Sequence, residues 1–311
     1  MQTILGSGGT IGIPLARELK NYTDHIRLIS RNPKKVNEND EMVSLDFTQF
    51  EGIEKAIEGS AIVYITVGFE YNLSVWQKTW PPFIKATIAA CEKQGCKLVF
   101  FDNMYMYDRS SLAFMTEEAS INPCSKKGMV RKELVEMIQA ADQRGLKTLI
   151  ARAADFYGPE CKNSLMGETN VKNLLKGKKA QALGPIDKIH TYSYTPDAAK
   201  ATALLGNADD AYGQAWHLPT TKEKLTQKDW IELVAKELGV KPDIQKIPVW
   251  MLHLLGIFIK PMREFPEMLY MGEVDFIFDS SKFENRFGLM TTSPEEGIKQ
   301  MVSWFRTEAA K

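Results

Sequence analysis

Glycines at positions 6, 9 and 12, in Leu5-Gly-Ser-Gly-Gly-Thr-Ile-Gly12, give the spacing Gly-x-x-Gly-x-x-Gly, with Gly8 as a fourth. Glycines so spaced suit the cradling of a dinucleotide pyrophosphate. The first permits a tight turn after a strand, the middle ones let backbone N–H groups approach the phosphates, and the last lets a helix pack closely on the strand. A helix that starts there adds unpaired donors and partial positive charge. Gly6, Ser7, Gly9, Thr10, Ile11 and Gly12 are therefore the candidate phosphate-binding residues.

The next question is which dinucleotide. NAD sites usually carry Asp or Glu at the end of the second strand, about 20 residues past the glycines, to bond the ribose 2′-hydroxyl. Here that strand ends Leu28-Ile-Ser-Arg-Asn-Pro33, followed by Lys34 and Lys35. No carboxylate stands where NAD wants one, and Arg31 stands where a 2′-phosphate would need a guanidinium. The expectation is NADP(H) in preference to NAD(H), against the plainer alternative that Arg31 and the lysines form a solvated turn. Asp46 and Phe47 are placed to edge the adenine, and Thr66 and Val67 belong to the expected cofactor set.

These residues need a scaffold, and the hydrophobic pattern supplies one. Apolar runs at 2–5, 25–30, 42–45, 61–67, 97–101 and 146–151 alternate with amphipathic stretches at 10–20, 48–58, 74–94 and 127–143. Strand and helix repeated in this way predict an α/β fold, a Rossmann-type doubly wound parallel sheet. Beyond Tyr157 the rhythm changes to glycine, proline and short elements, with helices expected at 227–238 and 249–259. The predicted division is a cofactor domain over 1–157, to which residues of about 189–218 return, and a smaller substrate-binding region over 158–311.

Composition narrows the function classes. Thirty-nine basic residues balance thirty-nine acidic ones, which argues against a nucleic-acid partner. Cys91, Cys96, Cys124 and Cys161 form no metal-type pair and are too few for a disulfide framework, so a reduced, cytoplasmic protein is expected. The N-terminus lacks a signal-peptide pattern, and the longest apolar run, Pro248 to Ile259, is too short to span a bilayer. His25, His190, His217 and His253 show no metal-ligand spacing, and no nucleophile elbow supports hydrolysis.

Further segments carry a family resemblance. They are Arg152-Ala-Ala-Asp-Phe-Tyr-Gly-Pro159, Tyr194-Thr-Pro-Asp-Ala-Ala199, Phe278-Asp-Ser-Ser-Lys-Phe283, Phe287-Gly288, and Ser293-Pro-Glu-Glu-Gly297 before Trp304. With the glycine loop, in this order, they resemble the extended short-chain dehydrogenase/reductases, the NAD-dependent epimerase/dehydratase family. The resemblance runs from residue 2 to about 306. It implies a Rossmann domain, a C-terminal substrate region, and Tyr157 near the nicotinamide. It also implies a small-molecule substrate and a monomer or homodimer.

The resemblance departs at the chemistry. Relatives carry Ser or Thr after the fifth strand and Tyr-x-x-x-Lys on the next helix. Aligned on Phe100 to Tyr107, the serine position holds Asn103; aligned on Gly128-Met-Val-Arg-Lys132, the lysine is kept and the tyrosine is Gly128. Glu136, four residues past Lys132, supports this register, and the resemblance then implies that Lys132 holds the nicotinamide ribose of the cofactor. A second register, on Ser125-Lys126, puts Asn122 in the tyrosine slot. Two readings follow. Either another acid serves, with Asn103 polarising a substrate oxygen, Tyr105 giving the proton and Lys132 supplying the positive charge a phenol needs, or the chain binds NADP without ordinary alcohol redox, as a sensor or as a reductase of double bonds or imines. Tyr105 also reads as an ordinary aromatic at a strand end, Tyr107 as a packing residue, and His190 as lying in a segment where relatives contact substrate.

The stretch Val249 to Ile259, with Met262, Phe265, Met268, Leu269 and Tyr270, is rich in Met, Leu and Phe, which suits an apolar ligand or a packed helix better than a sugar. The expected activity is an NADPH-dependent reduction of a small, rather apolar carbonyl or conjugated substrate. The alternatives are a sugar-nucleotide epimerase or dehydratase, and a non-catalytic NADP sensor.

Overall fold

The structure is a computed structural model that describes residues 1–162, 164–248, 264, 266–288 and 291–309. The first half runs β1 (Gln2–Leu5), α1 (Gly12–Leu19), β2 (Ile26–Ser30), β3 (Glu41–Ser44), α2 (Ile53–Ala56), β4 (Ile62–Ile65), α3 (Leu73–Gln94), β5 (Lys97–Asp102), α4 (Lys126–Gln143) and β6 (Thr148–Arg152). The second half runs β7 (Asp155–Tyr157), α5 (Lys172–Leu175), β8 (Ala180–Leu183), β9 (Tyr192–Tyr194), α6 (Thr195–Gly206), β10 (Gln214–His217), α7 (Gln227–Leu238), β11 (Ile244–Ile247), α8 (Ser281–Phe287) and α9 (Pro294–Ala309).

Two compact units emerge. The first comprises residues 1–106, 126–153 and 198–218. Its seven-stranded sheet has the order β10-β6-β5-β4-β1-β2-β3, and every pairing in it is parallel. That is the doubly wound arrangement, with its order reversing between β1 and β4. Leu5 lies level with both Ile29 and Ile65, so the strand ends that carry the glycine turn, Ser30 and Thr66 are in register. β1 and β4 are buried along their whole length, as strands covered by helices on both faces must be.

Helix α3 begins where Asn72 Oδ1 accepts from the Val75 amide at 3.1 Å, and ends on Gly95 at φ +66°. Both are the ends expected of a long amphipathic helix. The stretch 48–58, expected as one helix, is instead a short turn at Phe50–Gly52 followed by the single helical turn of α2. Gln49 is non-helical, and Gly52 weakens any helix running through it.

The second unit comprises residues 107–125, 154–197 and 219–311. The segment after β5 belongs to it because the Met115 amide donates to Ile277 O at 2.8 Å and Arg109 pairs with Glu273 at 2.7 Å. The boundary after β6 falls at Ala153, four residues before Tyr157. Two small parallel pairs, β7 with β9 and β8 with β11, join helices α7 and α9 around a core of Tyr157, Tyr192, Tyr194, Trp230, Met301 and Phe305. The helix expected over 249–259, with Met262 and Phe265, lies outside the described residues. Met268 and Tyr270 are buried in a turn at Pro266–Gly272. Among the described residues no helix is long and apolar enough to cross a membrane, and no cluster of acidic, His or Cys side chains is arranged to hold a metal ion.

Candidate cofactor and active site

The glycine turn divides by steric role. Gly6 has φ +99°, and a Cβ on it would meet the Val67 amide nitrogen at 2.6 Å; one on Gly12 would meet Ser7 Cα at 2.7 Å. These two glycines are demanded by the turn itself. Gly8 and Gly9 are exposed, and a Cβ on Gly8 would meet only Ser30 Oγ, 3.8 Å away. The protein's own packing does not require Gly8 to lack a side chain, so the space beside it is room for a ligand. Ser7 Oγ and Ser30 Oγ, one on each side of this turn, are buried with no hydrogen-bond partner among the described residues. An unmade bond of that kind costs about 1–3 kcal/mol, which a ligand oxygen would recover. The cradle, its two waiting hydroxyls and the start of α1 fit a dinucleotide's phosphates.

On the adenosine side, β2 and β3 are tied at their ends. Ser44 Oγ donates to Arg31 O at 2.8 Å, and the Leu45 amide donates to Ser30 O at 3.0 Å. Arg31 is exposed. Asp46 Oδ1 accepts from the Thr48 amide at 3.0 Å and from Thr48 Oγ1 at 2.9 Å. Those bonds hold its carboxyl below the usual carboxylate range, with the Arg31 charge adding to the effect. Phe47 is buried against Phe83, ring centres 5.4 Å apart. Thr66 Oγ1 donates to Leu5 O at 3.1 Å, which locks the end of β4 to the glycine turn. The structure thus gathers the glycines, Ser7, Arg31, Thr66 and Val67 at the carboxyl ends of β1, β2 and β4, where an open α/β sheet binds its ligand.

The ends of β4 and β5 carry aromatic residues. Asn103 Oδ1 accepts from the Tyr105 amide at 3.1 Å. The Tyr105 ring lies nearly parallel to Trp76, centres 6.3 Å apart, and Tyr71 meets the same indole edge-on at 5.6 Å. Phe69 packs on Trp80 at 4.8 Å. Phe69, Tyr71, Asn103 and Tyr105 are half-buried, over a floor of buried Trp76 and Trp80.

Helix α4 supplies the cations. The Lys132 side chain is 41% exposed and 3.9 Å from Glu136. The buried cations are its neighbours: Lys127 has no exposed surface, and its ammonium lies 4.7 Å from the centre of the Tyr71 ring. Arg131 donates Nε to Asp102 Oδ1 at 2.8 Å and stacks over Trp80 at 4.6 Å. A four-residue step keeps Lys127 and Arg131 on one helix face, while Lys132 turns about 100° away. The sequence pattern does not single out Tyr71, Lys127, Arg131 or Ser30; the i, i+4 spacing of Lys127 and Arg131 is a signal for that pair alone.

Tyr157 belongs to the second unit. Its ring packs on Trp230 at 5.0 Å and Tyr194 at 5.2 Å, and burial pushes its phenol up, with Asp197 adding. In the same unit His190 Nε2 is 2.9 Å from Asp155 Oδ2, its ring stacked on Phe276 at 4.5 Å.

Comparison with known proteins agrees with this geometry. Residues 6–124 match a family described as NAD(P)H-binding. No curated protein matches the sequence. The dTDP-glucose 4,6-dehydratase DesIV of Streptomyces venezuelae, solved with NAD bound, superposes with a TM-score of 0.83 at 16% identity, over 100% of this chain and 98% of that one. The UDP-glucuronic acid 4-epimerase of Bacillus cereus, solved with UDP-glucuronic acid and NAD, gives 0.80 at 16% identity, over 99% of this chain and 100% of that one. The UDP-glucose 4-epimerase of Thermus thermophilus, in complex with NAD, gives 0.79 at 18% identity, over 98% of this chain and 99% of that one. Residues 6–124 thus resemble an NAD(P)H-binding family, and the chain shares the fold of these dehydratases and epimerases solved with NAD.

Proposed function

Starting from an NAD(P)H-binding domain on that fold, we propose that the chain is an NADP(H)-dependent oxidoreductase acting on a small, rather apolar carbonyl or conjugated substrate. The observation that carries this reading is the half-buried wall of Phe69, Tyr71 and Tyr105 over Trp76 and Trp80 at the ends of β4 and β5, on the same side of the sheet as the glycine turn. Such a wall offers an apolar ligand area and aromatic faces, where a sugar would need a dense set of polar partners.

The residues divide the work. Gly8, Gly9 and Ser7 would hold the pyrophosphate, and Arg31, with Ser30 beside it, the 2′-phosphate; the bound cofactor supplies the hydride. Because Asn103 Oδ1 is committed to the Tyr105 amide, its NH2 group is the part turned to donation, and would polarise a substrate oxygen. Tyr105 is a phenol within reach of the same ligand. The positive charge that a working phenol needs is supplied by the buried face of α4 rather than by exposed Lys132. The balanced charge and the four cysteines, too few for a disulfide framework in a chain of this length, suit a cytoplasmic setting.

A second reading, a sugar-nucleotide epimerase or dehydratase, is favoured by the similarity to enzymes of that kind solved with NAD. One experiment separates them. The protein is titrated with NADPH, NADH, NADP⁺ and NAD⁺, then assayed with phenanthrenequinone and with UDP-glucose. Selective binding of the phosphorylated pair and NADPH oxidation by the quinone support the first reading. NAD binding with conversion of the sugar nucleotide supports the second. Selective binding with neither reaction moves the chain to the sensor class.

A further inference from the structure

We propose that Tyr71 is the proton donor of this site and Lys127 the cation that enables it, the pair standing in for the Tyr-x-x-x-Lys of the helix. The proposal rests on the oxidoreductase reading above and names a residue that reading leaves open.

Position comes first. The loop after β4 leaves the glycine turn, where Val67 N lies against Gly6, and reaches the cap of α3 at Asn72. Tyr71 is the residue before that cap. It is half-buried, so a ligand can reach it, yet its ring is held: Trp76 meets it edge-on at 5.6 Å, and the Lys127 ammonium lies 4.7 Å from its centre. The loop ties the phenol to the same strand end that carries Thr66, which is bonded to Leu5 O and locked to the glycine turn.

The electrostatics follow. An ammonium beside a phenol favours the phenolate, and its attraction is screened less where the ammonium is removed from water. Lys127 has no exposed surface. Other charged and titratable groups near this side of α3 include Glu70, exposed and next to Tyr71 in the loop, Arg131 on α4 at 5.9 Å from Trp76, and Tyr105 stacked on Trp76. Arg131 is committed to Asp102, whereas the Lys127 ammonium faces the Tyr71 ring.

The chemistry balances. Reduction of a carbonyl consumes one hydride and one proton. The Oη–H bond of Tyr71 breaks and its proton forms the O–H bond of the alcohol. The electron pair stays on the phenolate, held by the Lys127 ammonium, until water returns a proton.

The test uses the full chain and Tyr71→Phe, Lys127→Met and Lys127→Arg. In the cofactor-free protein, tyrosinate absorbance is followed against pH. Tyr22, Tyr64, Tyr157, Tyr192, Tyr194, Tyr212 and Tyr270 are all pushed up by burial, which leaves Tyr71, Tyr105 and Tyr107 as the phenols that the variants must tell apart. One phenol should ionise below the ordinary value of about 10. It should vanish in Tyr71→Phe, rise in Lys127→Met and persist in Lys127→Arg. Tyr71→Phe should bind NADPH as the parent does while oxidising it with phenanthrenequinone roughly 100-fold more slowly. A low-titrating phenol that survives Tyr71→Phe, no such phenol in the parent, or full turnover by Tyr71→Phe overturns the proposal. If the parent fails to bind NADPH, the oxidoreductase reading falls, and the titration still decides the pair.

Discussion

Arg131 donates its Nε to Asp102 at 2.8 Å while its guanidinium carbon lies 4.6 Å above the centre of Trp80. Arg152 brings a second guanidinium to within 3.6 Å of the other Asp102 oxygen, and all three charged groups are almost entirely buried. One carboxylate at the end of β5 therefore anchors α4 and the end of β6 together. Asp102→Asn removes the charge both arginines face, and should lower stability by about 3–5 kcal/mol in urea denaturation. Arg131→Met leaves Arg152 near the carboxylate and should cost less. The reverse order would mean that the Trp80 stack, rather than the ion pair, holds the helix.

The glycine turn gives a sharper separation of folding from binding. Gly12→Ala pushes a methyl into Ser7 Cα at 2.7 Å, whereas Gly8→Ala meets only Ser30 Oγ at 3.8 Å. Gly12→Ala should lower the melting temperature. Gly8→Ala should melt as the parent does and lose at least tenfold in NADPH affinity by calorimetry, because its methyl occupies the phosphate space. Equal melting losses in both would show that the spacing serves the turn alone.

Ser30 and Arg31 should set the choice of cofactor. Removing an unpartnered buried hydroxyl takes away a group with nothing to lose in the ligand-free protein, so Ser30→Ala should leave unfolding unchanged or slightly raise it. A hydrogen bond to a phosphate is worth about 1.5–3 kcal/mol, so the same change should weaken NADPH binding by roughly tenfold or more and NADH binding little. Arg31→Ala should do the same more strongly. Equal losses for NADPH and NADH in either variant would remove the 2′-phosphate assignment.

The sheet was legible because its signals are local and repeated: Ile62–Ile65 is an unbroken apolar run, and the glycines mark the turn that follows β1. Arg31 was legible for the same reason, since a strand end fixes its place. The cationic side of the site was not. Whether Lys127, Arg131 or Lys132 turns inward depends on the rotation of α4 against α3, and periodicity in a helix with cations at 126, 127, 131 and 132 leaves that rotation open. Tyr71 was invisible for a different reason: its partners come from α3 and α4, and no short motif records a contact between a loop and a helix 56 residues later.

Helix α7 ties stability to pH. Asp229 accepts from the Thr226 amide at 2.8 Å and from Thr226 Oγ1 at 2.6 Å, while the Asp229 amide donates to Thr226 Oγ1 at 3.2 Å. These bonds, the one from the Thr226 hydroxyl foremost, hold its carboxyl below the ordinary range. A carboxyl depressed in the folded state binds its proton more weakly there than in the unfolded chain. Its contribution is therefore complete above the unfolded value of about 3.9 and is lost as pH falls through the lower folded value. Thr226→Ala removes one half of the capping box and should cost about 1 kcal/mol at pH 7. Asp229→Ala should cost a similar amount at pH 7, and its difference from the parent should shrink as urea unfolding is repeated down to pH 3. A difference that stays constant with pH would show that the side chain matters through packing rather than charge.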